Sequence, residues 1–197
     1  MLTIAFVIFA YLLGSISFAI IASKLFNLPD PRTYGSGNPG ATNVLRSGKK
    51  AAAVLTLVGD AAKGWLAVFL ALYYAPTDNL LIAIVTLAVF LGHLYPVFLR
   101  FQGGKGVATA LGVLLALNLW VGLGALCTWI VVAAAFRLSS LAALVAAIAA
   151  PIYLILLGAP REWLVASAVM SLLLIYRHKS NIENLMRGKE GKIGQKK

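Results

Sequence analysis

The stretch NLLIAIVTLAVFLGHLYPVFL, residues 79–99, contains no Lys, Arg, Asp or Glu and a single imidazole, His93. As a helix it would rise about 30 Å, the thickness of the hydrocarbon core of a bilayer. It has no polar face to turn toward water, so it reads as a membrane span. Similar apolar runs recur on both sides of it, at about 2–23, 51–74, 106–117, 119–136, 139–158 and 162–177. Across 197 residues, 61% are hydrophobic and 12% charged, and mean hydropathy is +0.91. A soluble domain is near half apolar and a quarter charged, so soluble globular and disordered classes are both excluded. The expected fold class is all-α: a polytopic integral membrane helix bundle forming a single domain over residues 1–197. Seven transmembrane helices are the expected count, within a range of five to seven. The run 106–117 is too short to cross upright. It tilts, fuses with its neighbour, or forms a half-span covered by protein. The first run lacks the basic flank of a cleavable leader and is too long for one, so it reads as a retained span.

The net charge is +11. Fifteen of the seventeen lysines and arginines fall on the side holding 24–50, 100–105, Arg137 and the tail, while Lys63 lies within a span and Arg161 stands on the other side. The positive-inside rule then places the N-terminus outside and the C-terminus in the cytoplasm. The charge therefore marks topology, and no nucleic acid partner is expected. The one cysteine, Cys127, allows no disulfide framework and reads as packing. Gly112, Gly122, Gly124, Ala142, Ala143, Ala146, Ala147 and Ala150 supply small residues for close helix approach. No internal repeat of the transporter kind is visible.

Three segments on the basic side are polar and rich in donors. The first, 34–46, carries Gly35, Ser36, Gly37, Asn38, Gly40, Thr42, Asn43 and Arg46. Its glycines formally match GxGxxG, but no strand precedes them and no βαβ unit exists here, so the match carries little weight. The physics is more informative: closely approaching backbone N–H groups plus an arginine form a phosphate cradle. The second, 101–109, contains Gly103, Gly104, Lys105 and Gly106 at the start of a helix, an arrangement that favours an anion. It is not a Walker A loop, because the spacing fails. The third, 177–190, places His178 and Asn181 at i, i+3, on one face if helical. Arg177 and Lys179 also fit as ordinary interfacial anchors.

Two further groups are buried in spans. Asp60 and Lys63 stand at i, i+3, as a structural pair or an extension of the site. His93 fits a helix–helix hydrogen bond better than a catalyst. No metal constellation can be built from two histidines, one cysteine and six scattered acids. A Ser-His-Asp triad is unsupported. The substrates should be phosphorylated, and at least one should be lipidic.

At these segments the chain resembles the membrane-integral bacterial acyl-phosphate:glycerol-3-phosphate acyltransferases. The resemblance rests on GSGNPGATNVLR (35–46), GHLYPVFLRFQGGKGVAT (92–109), HKSNIENLMRGKE (178–190) and DAAKG (60–64), in order along the whole chain. Gln102 stands where a basic residue is expected. The resemblance implies transfer of a fatty acyl group from acyl phosphate to the 1-hydroxyl of sn-glycerol 3-phosphate. The products are lysophosphatidic acid and phosphate, in the first acylation of bacterial phospholipid synthesis. It implies no cofactor, a cytoplasmic-face site in the inner membrane, and functional coupling to the enzyme that makes acyl phosphate. Ser36, Arg46, Lys105, His178 and Asn181 match the catalytic positions. Gly35, Gly37, Asn38, Gly40, Thr42, Asn43, Gly103, Gly104 and Gly106 would join Ser36, Arg46 and Lys105 around phosphate. Asp60, Lys63, His93 and Glu190 are supporting residues.

Acyl phosphate is a mixed anhydride and needs no covalent relay. Neutralising charge and aligning the hydroxyl are then most of the task. Arg46, Lys105 and the glycine N–H groups suit the first, and Asn43, His178 and Asn181 the second. The proton acceptor is either a phosphate oxygen of the donor or His178. An anion transporter, a non-catalytic assembly protein and another lipid enzyme are the rival classes.

Overall fold

The computed structural model describes residues 2–193; Lys196 and Lys197, counted with the basic tail, lie outside the described residues. The described residues form helices and no strand: α1 (Leu2–Gly14), α2 (Phe18–Leu25), α3 (Ala41–Leu45), α4 (Lys50–Tyr74), α5 (Asn79–Leu94), α6 (Val107–Leu117), α7 (Leu119–Phe136), α8 (Ser139–Leu156), α9 (Arg161–Arg177) and α10 (Lys179–Met186). A single 3₁₀ turn, Val97–Leu99, follows α5.

Two expected spans end differently from the apolar runs. The run 2–23 is not one rod: α1 and α2 meet at a 42° bend. Gly14 is pressed so close to the α5 backbone at Val89 that a Cβ would collide with it. At the break, the Ser15 hydroxyl donates to the Tyr11 carbonyl at 2.9 Å. Such back-bonding bends helices, and an average of hydropathy does not sense it. The run 79–99 leaves the helix after Leu94, because Pro96 lacks an N–H and disfavours helical backbone just before it. Arg100 and Phe101 then take left-handed φ values of 51° and 61° and turn the chain back under α5.

Among the described residues four helices are long and apolar enough to cross a membrane, α4, α5 with its 3₁₀ turn, α7 and α8, or five if α1 and α2 form one bent span. The seven expected crossings would need two shorter helices as well. α6 has 11 residues, a rise of about 16 Å, and α9 has 17 residues between Arg161 and Arg177.

The core lies where α5 is wrapped by α1, α4, α6 and α9, around Ile82, Val89, Phe90 and Leu94. α4 and α6 touch backbone to backbone, and a Cβ at Gly112 would strike the Ala61 carbonyl, the close approach that small residues permit. The outer surface is apolar as well: Ile4, Val58, Val131, Ile155 and Leu172 are all exposed. Cys127 was expected to pack inside. It is exposed on α7 instead, because the small buried face of that helix is taken by Val121, Gly122, Ala125 and Ala133.

Candidate active site

The loop after the 3₁₀ turn is seated on the end of α5. The Gly104 N–H donates to the His93 carbonyl at 3.2 Å. A Cβ at Gly103 would collide with the His93 and Leu94 carbonyls, and one at Gly104 with the His93 ring. Arg177 clamps the same loop from α9: Nε donates to the Gly104 carbonyl at 3.2 Å and Nη2 to that of Gly103 at 2.9 Å. Its guanidinium also lies 5.6 Å from the centre of the Tyr95 ring. Gly106, at φ 89°, then opens α6.

This seat presents Lys105, whose ammonium donates to Asn181 Oδ1. Asn181 Nδ2 donates onward to Glu190 Oε1 at 2.8 Å. The same carboxylate oxygen accepts from the Ser140 hydroxyl at 2.7 Å. Burial above all pulls Lys105 below the ordinary lysine range; Glu190 works against that shift, and Arg177 and Arg46 add to it. A bound phosphate dianion would favour the ammonium form again.

His178 caps α10 and is 3% exposed. Burial is the largest cause that pushes its pKa down to about 4, so the ring is neutral at pH 7. Nδ1 lies 2.8 Å from the Leu174 carbonyl. A carbonyl only accepts, so Nδ1 carries the proton and Nε2 is left as the acceptor.

The loop 34–46 closes the other side. An open cavity of about 320 Å³ is lined by Arg32, Gly37 and Pro39 together with Phe101, Gln102, Gly103 and Arg177. Arg46 lies along Gly35, and its Nη2 is 3.5 Å from the position a Cβ on Gly191 would take. Thr42 Oγ1 is 3.2 Å from Ser139 Oγ and ties α3 to the start of α8. The Asn38 amide stands beside Gly40.

Two expected ligand groups have internal partners instead. Asn43 is 2% exposed. Its Oδ1 accepts the Ser36 N–H at 2.9 Å, and its Nδ2 donates to the carbonyls of Pro31 at 2.7 Å and Tyr34 at 3.1 Å. It is the clasp of the loop rather than an aligning group for a hydroxyl. Asn181 likewise bridges Lys105 and Glu190. Asp60, Lys63 and His93 lie below the loop in α4 and α5; like Ser36, Arg46, Lys105, His178 and Asn181, they do not line that cavity.

Arg177 and Ser140 were not among the expected site residues. An arginine after a last span is an ordinary anchor, and its one distinguishing signal was contiguity with His178. Ser140 gave no signal beyond its place at a helix start on the basic side.

The sequence model of the glycerol-3-phosphate acyltransferase family matches residues 4–188. The chain is 61% identical over 198 residues to a glycerol-3-phosphate acyltransferase of Ralstonia nicotianae, covering 99% of this chain and 96% of that protein. It is 62% identical to one of Janthinobacterium sp., with 99% and 98% covered. Among solved structures it is similar to PlsY (YgiH), an integral membrane glycerol 3-phosphate acyltransferase. The glycerol 3-phosphate form of PlsY superimposes with a TM-score of 0.95 at 42% identity, covering 98% of this chain and 96% of that one. Its lysophosphatidic acid form gives 0.93 at 41%, with the same coverage.

Proposed function

The chain belongs to the glycerol-3-phosphate acyltransferase family, and from that premise we propose that it transfers a fatty acyl group from acyl phosphate to the 1-hydroxyl of sn-glycerol 3-phosphate. The products are 1-acyl-sn-glycerol 3-phosphate and inorganic phosphate. The observation that carries the reading is the Lys105–Asn181–Glu190 chain, set in the field of Arg46 and Arg177 beside a neutral histidine. Two phosphorylated substrates bring several negative charges together, and this cluster supplies cations to offset them, Lys105 and Arg177 half-buried and Arg46 exposed.

The hydroxyl oxygen attacks the acyl carbonyl, the bond from acyl carbon to phosphate oxygen breaks, and the hydroxyl proton leaves on the phosphate. His178 is too weak a base at a pKa of about 4 to be an obligatory proton acceptor near neutrality. Its Nε2 accepts a hydrogen bond from the hydroxyl and orients it. His178→Ala should therefore lower kcat by less than about 10²-fold, where loss of an obligatory base costs 10²–10⁴-fold. The ratio of wild-type to His178→Asn rates should also stay flat between pH 6 and 8, because a group titrating near 4 is already deprotonated across that window. A ratio that climbs through this range would identify His178 as the base.

In the same reading the enzyme crosses the bacterial inner membrane seven times, with the short α6 counted among the crossings. The N-terminus lies outside and the site at the cytoplasmic face. It catalyses the first acylation of phospholipid synthesis without a cofactor, coupled to the enzyme that supplies acyl phosphate. The test uses purified protein in detergent with palmitoyl phosphate and glycerol 3-phosphate, and palmitoyl-CoA in a parallel tube. Product from acyl phosphate alone, lost in Arg46→Ala, is the expected result. Product from the CoA tube would mean the donor is misassigned. No product in either tube from folded protein would favour anion transport.

A further inference from the structure

Beneath the glycine loop runs a chain of buried polar groups that the proposed chemistry does not use. Lys63 Nζ lies 2.8 Å from Asp60 Oδ1 and donates to the Ile16 carbonyl at 2.6 Å. Asp60 Oδ1 is 3.7 Å from His93 Nδ1, which is 3.1 Å from Thr109 Oγ1 at the start of α6. Above His93 sits the loop itself, with Gly104 against the ring and its N–H on the His93 carbonyl.

A buried ion pair is not stabilising by default, since apolar replacements of similar volume often serve as well. The specific contacts are more telling. Ile16 lies in the break between α1 and α2, where the helix ladder is interrupted and a carbonyl needs a donor. Lys63 caps that break. The break sets the direction of α2, and α2 leads into the loop that carries Ser36 and Arg46. Two more contacts run in parallel: the Val97 N–H donates to Ser15 Oγ at 3.3 Å, and the Tyr11 hydroxyl donates to the Tyr95 carbonyl at 2.7 Å. The bend and the seat of the glycine loop are therefore joined as one body.

We propose that Asp60, Lys63 and His93 form a positioning network that holds the Lys105 loop in register with the Arg46 loop, and so fixes the separation of the two substrate phosphates. This rests on the reading that the two loops bind those phosphates. The three side chains touch no substrate; they act through Gly104 and the α1–α2 break.

The test is a set of variants assayed with palmitoyl phosphate and glycerol 3-phosphate. His93→Gln removes the ring under Gly104. The double variant Asp60→Asn/Lys63→Met removes both charges together, so that neither is left buried alone. Each folded variant should lose about 10- to 100-fold in kcat/KM, the scale of a displacement near 1 Å. In a Lys105→Ala background, His93→Gln should cost less than about twofold more, because the group it positions is gone. Full activity in His93→Gln, or equal losses with and without Lys105, would overturn the proposal. If the double variant does not fold, His93→Gln alone decides. A wild-type enzyme inactive with acyl phosphate would instead overturn the assignment of the reaction, so the two failures are distinguishable.

Discussion

Lys105→Ala is expected to lower kcat/KM by about 10²–10³-fold, the loss that follows removal of one preorganised stabilising donor. Lys105 is held half-buried between the glycine loop and α10, and its ammonium is anchored by Asn181. Truncation removes a cation from a site where water screens poorly. It also leaves Glu190, held by Asn181 and Ser140, without its lysine. Arg46 and Arg177 cannot substitute fully, since Arg177 is spent on the carbonyls of Gly103 and Gly104. Lys105→Arg keeps the charge but not the compact ammonium, and should fall between the two. The measurement is kcat/KM in detergent, with elution volume and Tm as folding controls. A folded Lys105→Ala enzyme within about threefold of wild type would remove the lysine from the mechanism.

Gly103→Ala should be nearly as costly, for a steric reason. A Cβ there meets two backbone carbonyls, those of His93 and Leu94, together with the Pro96 ring. None of these is the end of a flexible side chain, so the loop must lift. Lifting it breaks the pairing of Gly104 with His93 and of Arg177 with both carbonyls. A shift near 1 Å in a positioning element costs about 10²-fold in rate. The helices should remain folded, so helical content by circular dichroism should be unchanged while activity falls. Gly48→Ala is the contrast: among the described residues nothing stands within 4 Å of a Cβ there, and only its left-handed φ of 83° is strained. That strain costs about 1–2 kcal/mol of stability and should leave turnover intact. Equal activity in Gly103→Ala and Gly48→Ala would mean that the loop is not held against α5 as described.

The apolar runs made α4, α7 and α9 legible to within a residue, because each is bounded by charge or by a turn. The α1–α2 bend was not legible. Gly14, Ser15 and Ser17 barely lower the mean hydropathy, and the bend depends on partners far away in sequence, Val89, Val97 and Lys63. Hydropathy also could not place α6, whose 11 residues fit several depths. In the site, residue types revealed which segments carry donors, and the fold brings all three together. What they could not reveal was direction. An asparagine in a glycine loop looks the same whether it faces a ligand or clasps the loop, and only the partners of Asn43 decide. Asp60 and Lys63 were readable as a pair from their spacing, but not their contact with the Ile16 carbonyl.

The short connection between α7 and α8 looks, from its length and exposure, like a place to graft a tag or an antibody epitope. It is not a free end. Arg137 there pairs with the far end of the described chain: its carbonyl accepts the Ile193 N–H at 2.7 Å, and its guanidinium donates to the Ile193 carbonyl at 3.3 Å. Three residues on, Ser140 holds Glu190. Surface loops accept insertions when their backbone is uncommitted, and this backbone is committed to the C-terminal segment that carries Glu190. The connection at residues 157–160, at the opposite end of α8 and open around Gly158, is the place where a label can be carried without touching the chemistry.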